Sequence, residues 1–386
     1  MNEDKATRYH RLRRRSAVAS LALGAALLVG LLWTGWSLAL RDLSVELTRR
    51  LGLPHPLIPS ATVAAYTLLL GVLNELITLP LDLYRGLALE RRYGLSTERA
   101  GRWFVDRGKA VALGLVFAVA GTGAMYGLLR HWPRWWWLGS AAGLSLVTIA
   151  LTNLGPVLLL PIFYPFKPLD REHLRARLVD LARRAGVAVV DVYEWQVSSK
   201  TRKANAALTG LGPTRRILVS DTLLADYPEE EIEVVLAHEL GHHVRHDVWR
   251  GIGVEALASV AGFFLADRVL RALAPALGLA GIADVAGLPV LALSLGGVSL
   301  VACPLANALS RLHERRADRY ALDLTRNPAA FVAAMRRLGA QNLAEESPSR
   351  LTRLLFHSHP TVPERIEAAR AWRGNAWVSA DGAAGS

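Results

Sequence analysis

The chain has one cysteine, Cys303, among 386 residues. That excludes an intramolecular disulfide and any cysteine-cluster metal site, and Cys303 reads as a small apolar residue inside a hydrophobic run. Lysine is scarce beside arginine, which together with much alanine and leucine points to a GC-rich bacterial genome. No internal repeat is visible, and low complexity is confined to an Ala/Gly-rich tail, 379–386, read as disordered. Most tellingly, the chain lacks the polar content of a soluble enzyme of its length: 52% of residues are hydrophobic and mean hydropathy is positive.

The apolar residues are gathered into runs at 17–40, 57–80, 110–129, 137–163, 251–270 and 285–303. A bilayer core takes roughly 20 apolar residues per helix, so six transmembrane spans are expected. The second run contains Asn74 and Glu75, and the fifth contains Glu255 and ends at Asp267 and Arg268. These two are expected to face protein or a wet cavity rather than lipid.

The net charge of +12 follows membrane topology, which argues against a nucleic-acid partner. Lys5, Arg8, Arg11, Arg13, Arg14 and Arg15 precede the first span, and Arg85, Arg91, Arg92, Arg99, Arg102, Arg107 and Lys109 lie between the second and third. The alternate loops hold only Arg41, Arg49, Arg50, Arg130, Arg134, Arg268 and Arg271. The positive-inside rule therefore puts both termini in the cytoplasm, with 164–250 and 309–378 on that same side. A cleaved signal peptide also begins with a basic leader, but its apolar region is usually about 7 to 15 residues, shorter than the run here.

The hydrophilic segment 164–250 has an α+β pattern. Residues 169–186 repeat apolar residues at helical spacing and stop at Gly186, Val187 to Val197 alternates like a strand, and Ile217 to Val219 reads as another. Asp226 as a cap, Pro228 in the first turn and acidic Glu229 to Glu231 open the next helix.

That helix contains AHELGHH, residues 237–243. His238 and His242, four apart, project from one helical face and suit one zinc ion, while Glu239 is placed to take a proton from the attacking water. A catalytic zinc needs a third protein ligand and an open position. Position 248, where one large metalloprotease class carries a histidine, is valine. His246 is expected too far along the axis of a straight helix, and His243 on another face. Downstream, SRLHERRAD at 310–318 supplies Glu314 as third ligand, with Asp318 one turn later to accept a proton from a ligand histidine's other nitrogen. The rival from another class is a membrane scaffold or transporter with a structural zinc site, which would fill all four positions with protein groups.

Together with LPLDLYRGLALERRYGLS at 79–96, PIFYPFKPL at 161–169, SSKTRKANAALTG at 198–210, RRILVSDTLL at 215–224 and HSHPTVPERI at 357–366, these motifs resemble the integral-membrane type I CAAX prenyl endopeptidases. More distantly they are similar to the bacterial heat-shock membrane endopeptidases. The resemblance implies His238, His242 and Glu314 as zinc ligands, Glu239 as general base, and Asn205 and Ala206 on an edge strand that holds the substrate. It implies that His359 and Arg365 bind substrate or stabilise the oxyanion. The eukaryotic members have seven helices around a chamber, one more than the six spans counted here. The expected fold is thus a mainly α membrane protein with a cytoplasmic α+β zincin-like metalloprotease domain. Its segments are 1–163 with four spans, 164–250 with the HExxH helix, 251–308 with two spans, and 309–378 with the remaining site residues. The expected activity is that of a zinc endopeptidase binding one Zn2+, acting on peptide or protein, either broadly on membrane or misfolded proteins or on lipidated CAAX-type C-termini, in contact with membrane lipid.

Overall fold

A computed structural model describes residues 4–210 and 215–372; the Ala/Gly-rich tail lies outside the described residues. The N-terminal half is helical: α1 (Lys5–Trp33), α2 (Trp36–Arg50), α3 (Ile58–Leu83), α4 (Leu89–Arg92), α5 (Ala100–His131), α6 (Trp136–Leu158) and α7 (Leu160–Phe163). A small sheet and its helices follow: β1 (Phe166–Pro168), α8 (Glu172–Arg184), β2 (Asp191–Trp195), β3 (Ala206–Thr209), β4 (Arg216–Ser220), α9 (Asp221–Asp226) and α10 (Glu229–Val244). The chain then runs through α11 (Asp247–Leu273), α12 (Leu288–Thr325), α13 (Pro328–Gln341), α14 (Arg350–Phe356) and α15 (Val362–Ala371).

Among the described residues, six helical segments are long and apolar enough to cross a membrane, beginning at Lys5, His55, Ala100, Trp136, Asp247 and Val285. Their outward faces carry exposed Val116, Leu146, Val301 and Leu305, which suits a hydrocarbon solvent and no aqueous one. The first span differs from its expected limits. The run 17–40 is broken after Trp33, where Gly35 takes φ 74°, a left-handed conformation that glycine adopts without steric cost. The chain turns there into α2, an amphipathic helix of 15 residues, too short to span.

The acids inside spans are partnered by protein, as their positions require. Glu75 forms a fork with Arg107 at 2.6 and 2.8 Å, Glu255 accepts from Ser259 at 2.8 Å, and fully buried Asp267 accepts from the Trp136 indole at 2.7 Å. With six spans, parity places the sheet, α10 and α13 to α15 at one end of the bundle. Trp33, Trp36, Trp132 and Trp135, all exposed, mark the opposite end, where indole rings favour the interface.

The sheet order is β1-β2-β4-β3, with β2 and β4 parallel and the outer pairs antiparallel. The strand expected over 187–197 is shorter, Asp191–Trp195, because Val187 still donates back to Ala182 at the helix end and ladder pairing with β4 begins at Asp191. Leu174, Leu178 and Leu181 of α8, Ile217 and Val219 of β4, and Ile232 and Leu236 of α10 form a shared buried core with Phe331. Each such side chain contributes about 1.5–3 kcal/mol, which fixes α10 rigidly against the sheet. Its start differs from expectation: Asp226 ends α9, and Pro228 itself is the N-cap. Glu229 to Glu231 still occupy the first turn, where the dipole favours them.

Candidate metal centre and active site

Helices α10 and α12 cross where Gly241 stands. A Cβ there would lie 3.1 Å from the Ala317 Cα and 3.2 Å from the Tyr320 Cβ, so the absent side chain is what lets the helices approach. The crossing brings Glu314 and Asp318 of α12 over His238 and His242 of α10. The His238 and His242 Nε2 atoms lie 3.2 Å apart, and the Glu314 carboxylate lies 3.3 Å from the first and 3.2 Å from the second. The cluster is buried on the α12 side, with Glu314 and Asp318 each 5% exposed.

The Nδ1 atoms are already engaged, His238 with Asp318 at 2.9 Å and His242 with Asp247 at 3.0 Å. If each Nδ1 carries the proton its carboxylate attracts, both Nε2 lone pairs face each other and a carboxylate. Three such donors converging on one point are held together by a cation, and these residue types are metal ligands. The donor set therefore fits a metal ion. Burial works against charge on His238, yet Asp318 and Glu314 outweigh it and lift its pKa to about 9.

Asp247 was not anticipated from the sequence. It reaches His242 because α10 stops at Val244 and His246 takes φ 55°, which redirects the chain into α11 and turns Asp247 back. His246 is thus removed from the cluster by a break in the helix, not by distance along a straight one. Among the described residues the His243 side chain makes no ion pair with the site's acids.

Glu239 is half-buried and makes no hydrogen bond or ion pair with any described residue. Burial and the nearby Glu314 charge push its carboxyl up, against the pull of His238, His242 and Arg365. Two further residues come from the C-terminal segment. His359 sets its Nδ1 2.8 Å from Glu314 Oε2 while its side chain stays 62% exposed. Arg365 donates to both Asp318 oxygens at 2.9 and 2.5 Å, and one of its nitrogens lies 3.3 Å from His238 Nδ1. Ala206 opens β3, the edge strand beside α10, and Asn205 immediately precedes it.

A family model described as peptidase family M48 matches residues 168–373, and one described as CAAX prenyl protease N-terminal, five membrane helices, matches residues 2–165. The chain holds four candidate spans in that second region, with α2 as a shorter fifth helix. An uncharacterized metalloprotease of Bacillus subtilis, YhfN, is 31% identical over 308 residues, 79% of this chain and 72% of that one. CAAX prenyl protease 1 of Saccharomyces cerevisiae is 27% identical over 335 residues, 80% of this chain and 72% of the relative. The crystal structure of S. mikatae Ste24p superposes with a TM-score of 0.81 at 22% identity, covering 95% of this chain and 87% of that one, so the two share a fold. Matched from its membrane helices through its HExxH segment, the chain belongs to peptidase family M48 and is a metalloprotease carried on several membrane-spanning helices.

Proposed function

We propose that the chain binds one zinc ion through His238, His242 and Glu314 and hydrolyses peptide bonds with Glu239 as general base. Tetrahedral ligands about 2.0–2.1 Å from one ion sit about 3.3–3.4 Å from each other, close to the separations of the two Nε2 atoms and Glu314. Three ligands leave a position open, which supports catalysis over a closed structural site. Zinc, when bound, supplies Lewis-acid polarisation of the scissile carbonyl and the attacking water. Glu239, with no competing partner, takes the water's proton and delivers it to the leaving amine. Exposed His359 faces the cluster from the solvent side and donates to the developing oxyanion; Arg365 holds Asp318, and through it His238, while adding positive potential.

Peptide is bound by strand addition. Asn205 directs its N–H to Ser220 Oγ and its carbonyl to the Ser220 N–H, 2.9 and 3.0 Å, so alternation turns the backbone groups of Ala206 and Leu208 to the free edge. Main-chain recognition favours a broad endopeptidase for membrane or misfolded proteins over one restricted to lipidated CAAX-type C-termini. The basic end of the bundle supports a site and termini on the cytoplasmic side of a bacterial membrane.

The observation that carries the reading is the unpartnered Glu239 beside a His-His-Glu cluster. Its test is mass-spectrometric mapping of cleavage in a CAAX-type peptide with and without farnesyl, before and after chelation. Equal, chelator-sensitive cutting of both supports the broad enzyme, and strict farnesyl dependence selects the lipid-directed one. Chelator-insensitive cutting overturns the metal chemistry. Impermeant maleimide labelling at a cysteine placed near Trp132, absent near His173, checks the orientation.

A further inference from the structure

His359 has little of its own to hold it. Among the described residues its ring meets a single polar partner, Glu314, and that carboxylate is the one proposed to turn to the metal. Its side chain is largely exposed. Whatever keeps the ring at the cluster must act through the backbone on either side.

The downstream anchor is local. Pro360 restricts the conformation of His359, and Thr361 closes a capping box with Glu364 at the start of α15. Glu364 also pairs with Arg353 of α14 at 2.6 Å.

The upstream anchor is built from α12. The last carbonyls of a helix have no partner within it, and α14 ends just before His357. Cys303, Asn307 and Arg311 lie four apart on one face of α12 and meet carbonyls of the last turn of α14 and of His357 just beyond it. Cys303 Sγ lies 3.4 Å from the Leu355 oxygen. Asn307 donates to Leu354 at 3.2 Å and Leu355 at 2.9 Å. Arg311 donates to Arg353 at 3.1 Å and His357 at 2.6 Å. Arg311 is 9% exposed and has no carboxylate partner among the described residues. A buried guanidinium held by carbonyls with no carboxylate in contact is a costly arrangement, offset here by the negative end of the α14 dipole and the nearby Glu364 charge. From the opposite side Glu345, also buried, takes the His357 ring at 3.1 Å and is itself fixed by Arg14 of α1.

We propose that Arg311, with Asn307 and Glu345, is a positioning residue: it clasps His357 so that His359, two residues on, is presented to the reacting carbonyl. The proposal rests on the catalytic reading of His359. Because Arg311 and Glu314 share one unbroken helix, the distance between metal ligand and oxyanion donor is set by α12 rather than by the loop.

The test is a double-mutant cycle in the full-length, metal-loaded protein, with amide hydrogen exchange over 357–361 as a second readout. Arg311→Met is expected to lower kcat about 10²-fold, the scale of a 1 Å misplacement, with KM and metal content unchanged and faster exchange in the loop. Arg311→Lys, which can still donate to both carbonyls, should recover most of the rate. In a His359→Ala background Arg311→Met should cost nothing more. An equal loss in that background, or unchanged exchange, overturns the clasp. Full activity of His359→Ala alone refutes the catalytic reading instead, and the exchange measurement still decides the clasp. Should Arg311→Met not fold, Asn307→Ala removes the Leu354 and Leu355 bonds, together with a weak contact to Cys303 Sγ, and must shift both readouts in the same direction.

Discussion

The ring nitrogens Nε2 of His238 and His242 face each other across 3.2 Å, with each ring turned to that position by a carboxylate behind it. Asp318 does this from α12 and Asp247 from the start of α11. The second of these gives a direct check. Asp247→Asn should weaken metal binding by about 10- to 100-fold, read by chelator competition, and Asp318→Asn should do at least as much because it also releases Arg365. Unchanged affinity in both would mean that the helices alone orient the rings.

Glu239 touches none of the cluster's polar atoms, so its removal should separate binding from chemistry. Glu239→Gln is expected to keep a full equivalent of metal while losing about 10²- to 10⁴-fold in kcat. Metal content by mass spectrometry and single-turnover cleavage decide it, and a metal-free variant would make Glu239 a ligand instead.

At the free edge of β3, Ala206 offers an N–H that the sheet does not use. Ala206→Pro should be tolerated by an edge strand and should lower kcat/KM about tenfold by deleting one substrate hydrogen bond. The drop should appear in KM for peptide and be absent for metal affinity. A variant with wild-type KM rules out strand addition at that residue.

Burial pushes the Glu345 carboxyl up, but Arg14 and His357 outweigh it and hold it below the usual range. A depressed carboxylate contributes stability above its unfolded value, about 4.3, and loses it as pH falls through the folded value. Thermal unfolding in detergent should therefore show wild type above Glu345→Gln near neutrality, with the gap closing below about pH 4. A gap independent of pH would assign the difference to packing.

His238, Glu239 and His242 are legible from helical spacing of three and four, which puts side chains on one face, whereas Glu314 and Asp318 needed in addition their place just after the sixth span. The spans were legible from length and hydropathy, and the acids within them from the cost of leaving them unpaired. Arg365 and the β3 edge were reached only through resemblance, since nothing local distinguishes a surface arginine or a four-residue strand in a polar stretch. Gly35 ended the first span early because a run of apolar residues does not record a left-handed turn.

The sequence by itself determined that this is a helical membrane protein with a His-Glu-His metal motif, since periodicity and transfer energy act within a segment. Tertiary structure decided that Asp247 orients the His242 ring, which face of α12 meets α10, and which carbonyls lie beside Arg311. Those depend on a glycine-permitted helix crossing at Gly241, a left-handed residue at His246 and carbonyls of α14 capped from another helix. Each joins groups far apart in the chain, and only packing brings them within hydrogen-bonding distance.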